Sequence, residues 1–503
     1  MNNSGFKKII FIVLLVVVSV AGAYRIHAVQ SNKQISIVVA KPNTYSKDWQ
    51  KVEALEKKGL YKSALEVVDA IYKKAKAENN AAQLAKSILY RIKFSQQLDE
   101  NAEEKAIVFL NDELKVAEYP LKPLLNSILG QAYWSYYENH RWRFNKRTTM
   151  STLSDDIATW DMKTIFTKAH QHFQLSLQNP EKLKQTAVDL YDAVLIEQKD
   201  TRKFRPTLYD FLAYRAFEFY RNEEVDIIKP AYKFELKEAF YFQPYDAFLK
   251  QDFTTKDSLS SSFYALKLIQ ELIKFHAPDV SSGRAEVLIN IDLDRLKFVK
   301  EKSTLDIKDS LYLTALQNLE TQFSSNPASA EINYQIAKLY ADRGNLYRPL
   351  EGDAHKGDKK LAVELCDLVI KKYPQSNGAK NCEALKEEMK MHDLGLTMDN
   401  IVSPDKPSLA LLNYKNVKKV YFRIIQPGKP DTKEGELNLY GDELIAYYLK
   451  LPSLKDWTLD LPGDEDYQSH STEIKIPELG VGGYVILISS SKDFLTKNNG
   501  VAY

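Results

Sequence analysis

Apolar residues recur along most of the chain at the spacing of one helix face. Ala64, Val67, Val68, Ile71 and Tyr72 stand at i, i+3, i+4, i+7 and i+8, the stripe of a half-buried helix. Trp49, Val52, Leu55 and Leu60 precede it, with a break at Gly59, and Ala85, Ile88, Leu89 and Ile92 repeat the spacing one helix later. The middle of the chain predicts further helices at 125–137, within 151–178, and at 187–195, 208–220, 263–275 and 288–298. Thr207, behind Pro206, reads as an N-cap, with Leu208, Phe211, Leu212 and Ala216 facing inward. The aromatic-rich stretch 225–256, with Pro230 and Pro244, reads as a loop or a strand-like excursion. From about Leu394 the pattern changes. Segments 408–412, 417–426 and 457–461 read as strands, the last closed by Pro462-Gly463, and 442–449 reads as a short inserted helix. Ile474 and Ile476 alternate with polar neighbours until Pro477 stops the strand. After Gly480, Gly482 and Gly483, residues 484–488 are apolar on both faces, as in an inner strand.

Two helical stretches carry a repeat. Leu311, Ala315, Leu316, Leu319 and Phe323 lead to Pro327, and Ile332, Tyr334, Ile336, Ala337, Leu339 and Tyr340 lead to Gly344. Leu361, Ala362, Leu365, Leu368, Val369 and Tyr373 then lead to Pro374, 47 residues after Pro327. These units resemble tetratricopeptide repeats of about 34 residues, the excess being taken up by a polar insertion at 349–360. The expected fold is therefore multidomain α+β. Its first part is an α-solenoid of tetratricopeptide-like hairpins, irregular over 45–300 and more regular over 301–393. A small antiparallel β-sandwich over 401–503 follows.

The chain has 503 residues, 44% hydrophobic and 27% charged, which describes a folded protein of several domains. A net charge of +2 supplies no global pull toward nucleic acid or acidic membranes. Lys7 and Lys8 precede an apolar run at 9–23 that ends in Ala21-Gly22-Ala23. At helical rise this run reaches about 22 Å, short of a bilayer core of about 30 Å. It reads as a secretory signal peptide, with an uncleaved anchor, and so membrane association through 9–23, as the alternative. Two cysteines, Cys366 and Cys382, are too few for a disulfide scaffold or a cysteine-only zinc site. They are either two buried thiols or one pair formed after export.

Three stretches carry a family resemblance: the W-x-x-V-x-x-L-E-x-K-G-L-x-x-S-A-L-x-V-V opening from Trp49, the RPTLYDFLA string from Arg205, and the segment from Trp457 to Ser490 with its I-P-x-L-x-x-G-G-Y connection from Ile476 to Tyr484. Together with the order of parts, they make the chain resemble the N-terminal region of bacterial α2-macroglobulin-family proteins, the sandwich corresponding to a macroglobulin-type domain. The resemblance implies an exported protein of the periplasm or cell envelope that inhibits endopeptidases by trapping them. Its partners would be target proteases or other envelope proteins. The chain departs from the family in having no C-x-E-Q thioester string and a single sandwich. It is thus expected to be the arm of a longer protein or to act with a partner. The other reading is a stand-alone periplasmic tetratricopeptide scaffold with the sandwich as recognition module.

No residue set predicts catalysis, a cofactor or a metal. His170 and His172 lie two apart, about 200° around a helix, so they do not share an ion and read as surface histidines. Asp353, His355 and Asp358 sit in the polar insertion, where oxygen-rich loops are common without any ion. The string from Arg141 to Arg147 mixes basic and aromatic residues, as nucleic-acid surfaces do, but reads as a solvated helix end with its aromatics turned inward. Ser260, Ser261 and Ser262 lack a Gly-x-Ser-x-Gly frame, and no phosphate-binding glycine loop is present. The chain is therefore read as a protein-binding protein and not an enzyme.

Overall fold

The computed structural model describes residues 44–144, 156–196, 201–222, 233–427, 441–463, 465–494 and 499–502. The apolar run at 9–23, the end of the basic-aromatic string at 145–147 and the start of the aromatic stretch at 225–232 lie outside them. The chain is mixed α+β and divides into two compact units, 1–328 and 329–503.

In the first unit the long helices are α1 (Ser46–Lys57), α2 (Tyr61–Ala77), α3 (Ala81–Leu98), α4 (Ala102–Val116), α5 (Leu121–Asn139), α6 (Met162–Ser176), α7 (Leu208–Arg221), α8 (Ser261–His276), α9 (Ala285–Lys302) and α10 (Lys308–Phe323). Helices adjacent in sequence pack on one another, α1 on α2, α2 on α3, α5 on α6, and α8 on α9. The first turns are set by local chemistry. After α1, Gly59 takes a φ of +71°. Its N–H donates to Glu56 O at 2.9 Å, and that of Leu60 to Leu55 O at 3.0 Å, a Schellman stop in which glycine avoids the Cβ penalty. Asn79 and Asn80 repeat the same two bonds after α2, to Lys76 O and Ala75 O. The Asn80 side chain then caps α3 by accepting from Gln83 N at 3.1 Å.

Helix α5 is buried on nearly every face, as a central helix must be. Its Gly130 admits α6, since a Cβ there would lie 3.1 Å from Ala169 O and from the Phe173 ring. Thr207 is the expected N-cap of α7. Its Oγ1 accepts from Asp210 N at 3.2 Å, and Asp210 Oδ2 accepts from Thr207 N at 3.0 Å, a complete capping box. Thr207→Ala is expected to cost about 1 kcal/mol, read as a lower denaturation midpoint with unchanged slope.

Two expectations about segments of this unit fail. Segment 187–195 is not a helix but one 3₁₀ turn, Val188–Tyr191. Its backbone pairs across the chain instead, Val188 N donating to Pro206 O at 3.0 Å and Leu208 N to Thr186 O at 2.8 Å. The aromatics of the basic string do not both turn inward. Phe144 is buried, but Trp142 is 67% exposed. The described part of the aromatic stretch is a loop interrupted by two short helical turns, Ala239–Phe242 and Tyr245–Phe248. Its strand character reduces to one bridge between Leu236 and Ser303, while Tyr241, Phe242, Phe248 and Phe253 are buried.

The second unit joins helices α11 (Ser329–Gly344), α12 (Asp358–Lys372) and α13 (Asn377–Lys390) to strands β1 (Asp393–Met398), β2 (Ser408–Lys415), β3 (Lys419–Ile425), β4 (Ser453–Asp460), β5 (Ser469–Ile476), β6 (Val485–Ser489) and β7 (Asn499–Ala502). The three helices pack on each other. Cys366 and Cys382 lie in their shared core as free thiols. The strands form two antiparallel sheets, ordered β1-β2-β5 and β4-β3-β6-β7. Leu394, Leu412 and Ile476 from one sheet and Val420, Phe422 and Ile488 from the other form one core. The five expected strands are present, with β1 and β7 in addition. Both are weak in sequence: β1 contains Gly395 and has one fully buried residue, Leu394, and β7 has four residues. Strand β6 is buried at every position. Ile486 and Ile488 face the shared core, while Val485 and Leu487 join Ile425 and Phe494 in a second cluster with Tyr448 of the short helix Asp442–Tyr448. Among the described residues no helix is long and apolar enough to cross a membrane.

Candidate functional site

The histidines and acids weighed from the sequence are placed apart. His170 and His172 are half-buried and not fully solvated surface groups. His170 Nδ1 lies 2.9 Å from the Tyr220 hydroxyl and its ring packs on Tyr264. His172 Nδ1 lies 2.9 Å from Asn126 Oδ1 and its ring stacks on Tyr133. They serve different neighbours, as their spacing requires. Asp358 accepts from Arg343 Nε at 3.1 Å and pairs with His355 Nδ1 at 3.0 Å, while Asp353 pairs with Lys356. The insertion is thus an ion-paired turn. Among the described residues no group of three or more His, Cys, Asp or Glu side chains is placed to hold a metal. Ser260 is the N-cap of α8, accepting from Phe263 N at 3.3 Å.

Sequence reading missed two polar constellations. The first, in the first unit, is centred on His276, which is 2% exposed. Its Nε2 faces Asp210 Oδ1 at 2.8 Å and its Nδ1 faces Asp279 Oδ2 at 2.8 Å. Asp279 is also held by Arg284. With a carboxylate at each nitrogen, both positions are donors and the ring is an imidazolium. Burial pulls its pKa down, but the hydrogen bonds and charges of Asp210 and Asp279 outweigh it, leaving the group above its ordinary value. Neither nitrogen is open to a substrate. The network instead ties the capping box of α7 to the end of α8.

The pH dependence of stability follows from these histidines. Burial pushes His170 and His172 down to about 4, with Lys168 adding to the effect on His172. Their neutral forms favour the folded state above an unfolded pKa of about 6.5, and that contribution is lost as pH falls toward 4. His276 acts in the opposite sense. Its contribution is complete below about 6.5 and is lost as pH rises through its raised folded value. The melting temperature should therefore fall on both sides of a maximum. His172→Gln should flatten the acid limb and His276→Gln the alkaline one, read by calorimetry across pH.

The second constellation is a cleft of about 390 Å³ in the second unit, within the usual range for small ligands. Two connections build it. At the β2–β3 turn Asn416 takes a φ of +56°, and its Nδ2 donates to Met389 O at 2.8 Å and Met391 O at 3.0 Å. The turn thereby covers open carbonyls at the end of α13. The β4–β5 connection is pinned by Leu461 N donating to Lys418 O at 2.9 Å and by a Lys418–Glu465 ion pair at 3.1 Å. Positive φ at Glu465 and Tyr467 turns Asp466 inward between them. Asp466 is 9% exposed. Its Oδ1 accepts from Gln468 N at 2.9 Å and faces His470 Nε2 at 3.0 Å. The Gln468 amide reaches Gly344 O at 3.1 Å and Lys356 O at 3.3 Å. The His470 ring stacks on Tyr414 at 5.4 Å. The signal in the sequence was the alternation of Asp466, Gln468 and His470 leading into β5, three polar side chains at period two.

No protein-family model, curated protein or solved structure matches this chain.

Proposed function

We propose that this chain is the N-terminal arm of an exported α2-macroglobulin-like endopeptidase inhibitor of the bacterial envelope. It acts by binding proteins and not by catalysis. The observation that carries the reading is the sandwich. Seven strands in two sheets, β1-β2-β5 against β4-β3-β6-β7, surround one core, and the I-P-x-L-x-x-G-G-Y string is the link from β5 to β6. That is the arrangement expected of a macroglobulin-type domain, one of the sandwich folds common in extracellular proteins. The helices of the first unit, packed in sequence-adjacent pairs, support the reading of a solenoid whose surface presents a binding face.

A trap excludes by size, so its signature is a difference between large and small substrates. The natural protein, incubated with a panel of endopeptidases, is expected to slow digestion of a protein substrate at least tenfold while hydrolysis of a short chromogenic peptide continues. Equal loss of both activities, or loss of neither, would overturn the inhibitor reading. Loss of neither would turn attention to the stand-alone adaptor.

A further inference from the structure

We propose that Cys366 and Cys382 close an intramolecular disulfide as the second unit folds, tying α12 to α13. The chain has two cysteines, so within it one pairing is possible. Only residues 373–376 join Lys372, the end of α12, to Asn377, the start of α13. A connection that short makes two packed helices antiparallel neighbours. Cys366 lies six residues before Lys372, and Cys382 lies five after Asn377. At a rise of about 1.5 Å per residue the two stand level to within about 1.5 Å. Neither has exposed surface, and both point into one core with Ala362 and Ala379, whose small side chains let the helices approach. A Lys386–Asp367 ion pair holds the same two helices together.

The two sulfurs are hydrogen-bonding neighbours. The bond from the Cys382 thiol holds Cys366 below its ordinary value, against the effect of burial. The same bond, with burial adding to it, raises Cys382. The structure shows both as thiols, the reduced member of the couple, and a disulfide would replace a contact that packing already makes. The step belongs to folding, when the hairpin is still open to solvent. One thiolate attacks a disulfide oxidant and expels a thiolate. The second cysteine thiolate then attacks the protein sulfur of that mixed disulfide and expels the other half of the oxidant. Two protein thiols give up two electrons and two protons, and the oxidant becomes two thiols. Once the core closes, burial of both sulfurs shields the bond from reductants. Among the described residues no group of three or more ligands claims these thiols for a metal. The pairing would serve an inhibitor arm and an adaptor alike, so its failure would leave both standing.

The test refolds the full chain, reduced and in urea, by dilution into mixtures of reduced and oxidised glutathione. Iodoacetamide in fresh denaturant then counts the free thiols by intact mass. The refolded chain is expected to weigh about 2 Da less than the reduced one and to take no label. It should reach that state in mixtures at least tenfold more reducing than those that close the pair in a control kept in urea. That excess measures how far the fold itself brings the sulfurs together. Where refolding is incomplete by circular dichroism, the natively purified chain, equilibrated at length in the same mixtures, gives the same reading. Two labels on the folded chain, a lasting glutathione adduct, a disulfide-linked dimer, or closure no easier than in urea would overturn the pairing.

Discussion

Arg295→Met is expected to destabilise the first unit by about 3–5 kcal/mol, the range for breaking a buried ion pair from one side. Arg295 has no exposed surface. Its Nε donates to Asp292 Oδ1 at 2.6 Å, Nη1 to Tyr241 O at 2.6 Å and Nη2 to Gln243 O at 2.9 Å. The guanidinium lies over the Phe248 ring at 4.5 Å. One side chain of α9 thus holds the aromatic segment, whose own backbone bonds close only short turns, against the helices. Methionine fills much of the volume but leaves two carbonyls and the Asp292 carboxylate, itself 1% exposed, without their donor. The cost therefore comes from stranded acceptors more than from lost packing. Adding Asp292→Leu should recover about 2 kcal/mol by removing the uncompensated charge. A double-mutant cycle from urea denaturation checks both numbers. A single-variant loss below 1 kcal/mol would show that water replaces the guanidinium freely.

In the second unit the largest effect is expected at Gly378. A Cβ built there would lie 2.2 Å from the Ala330 carbonyl carbon, 2.3 Å from its oxygen and 2.6 Å from Glu331 N. All three are backbone atoms, so no rotamer relieves the clash. The first turns of α11 and α13 must separate, which opens the core around Ala330, Ala379 and Cys382. Gly378→Ala should cost about 3 kcal/mol, the upper end of ordinary overpacking, even though alanine is the better helix former by about 1 kcal/mol. Ala330→Gly should not rescue it, because the contact is with the main chain of Ala330 and not its methyl. Amide exchange in α11 and α13 would report the loss locally. A neutral or stabilising Gly378→Ala would mean that the two helix ends separate without cost.

Much of the architecture is written locally, because caps and periodicity act over a few residues. The α7 start at Thr207 was legible because the hydroxyl and the N3 carboxylate sit three apart and close the box on their own backbone. The stripes of α2, α3 and α8 were legible because apolar side chains three and four apart share a face. The double-sided apolar run of β6 foretold a strand covered on both faces, as it is by two clusters. The two-residue spacing of His170 and His172 likewise settled that they serve different neighbours.

Tertiary structure decided which polar groups are buried and what meets them. Nothing near Arg295 in sequence marks it as the clamp of residues more than fifty positions away. His170 and His172 looked solvated because a histidine between polar neighbours reads as exposed, and only the facing Tyr220, Tyr264, Asn126 and Tyr133 half-cover them. The cleft around Asp466 depends on Gln468 reaching Gly344, 124 residues earlier. Strands β1 and β7 exist because strong neighbours offer them open backbone edges, not because their own residues favour extension. The sequence by itself determined where the elements begin, end and turn their apolar sides, since those follow from short-range sterics and hydrogen bonds. The closed imidazolium, the arginine clamp and the half-satisfied carboxylate were decided only when packing brought distant segments together, since desolvation is a property of the whole neighbourhood.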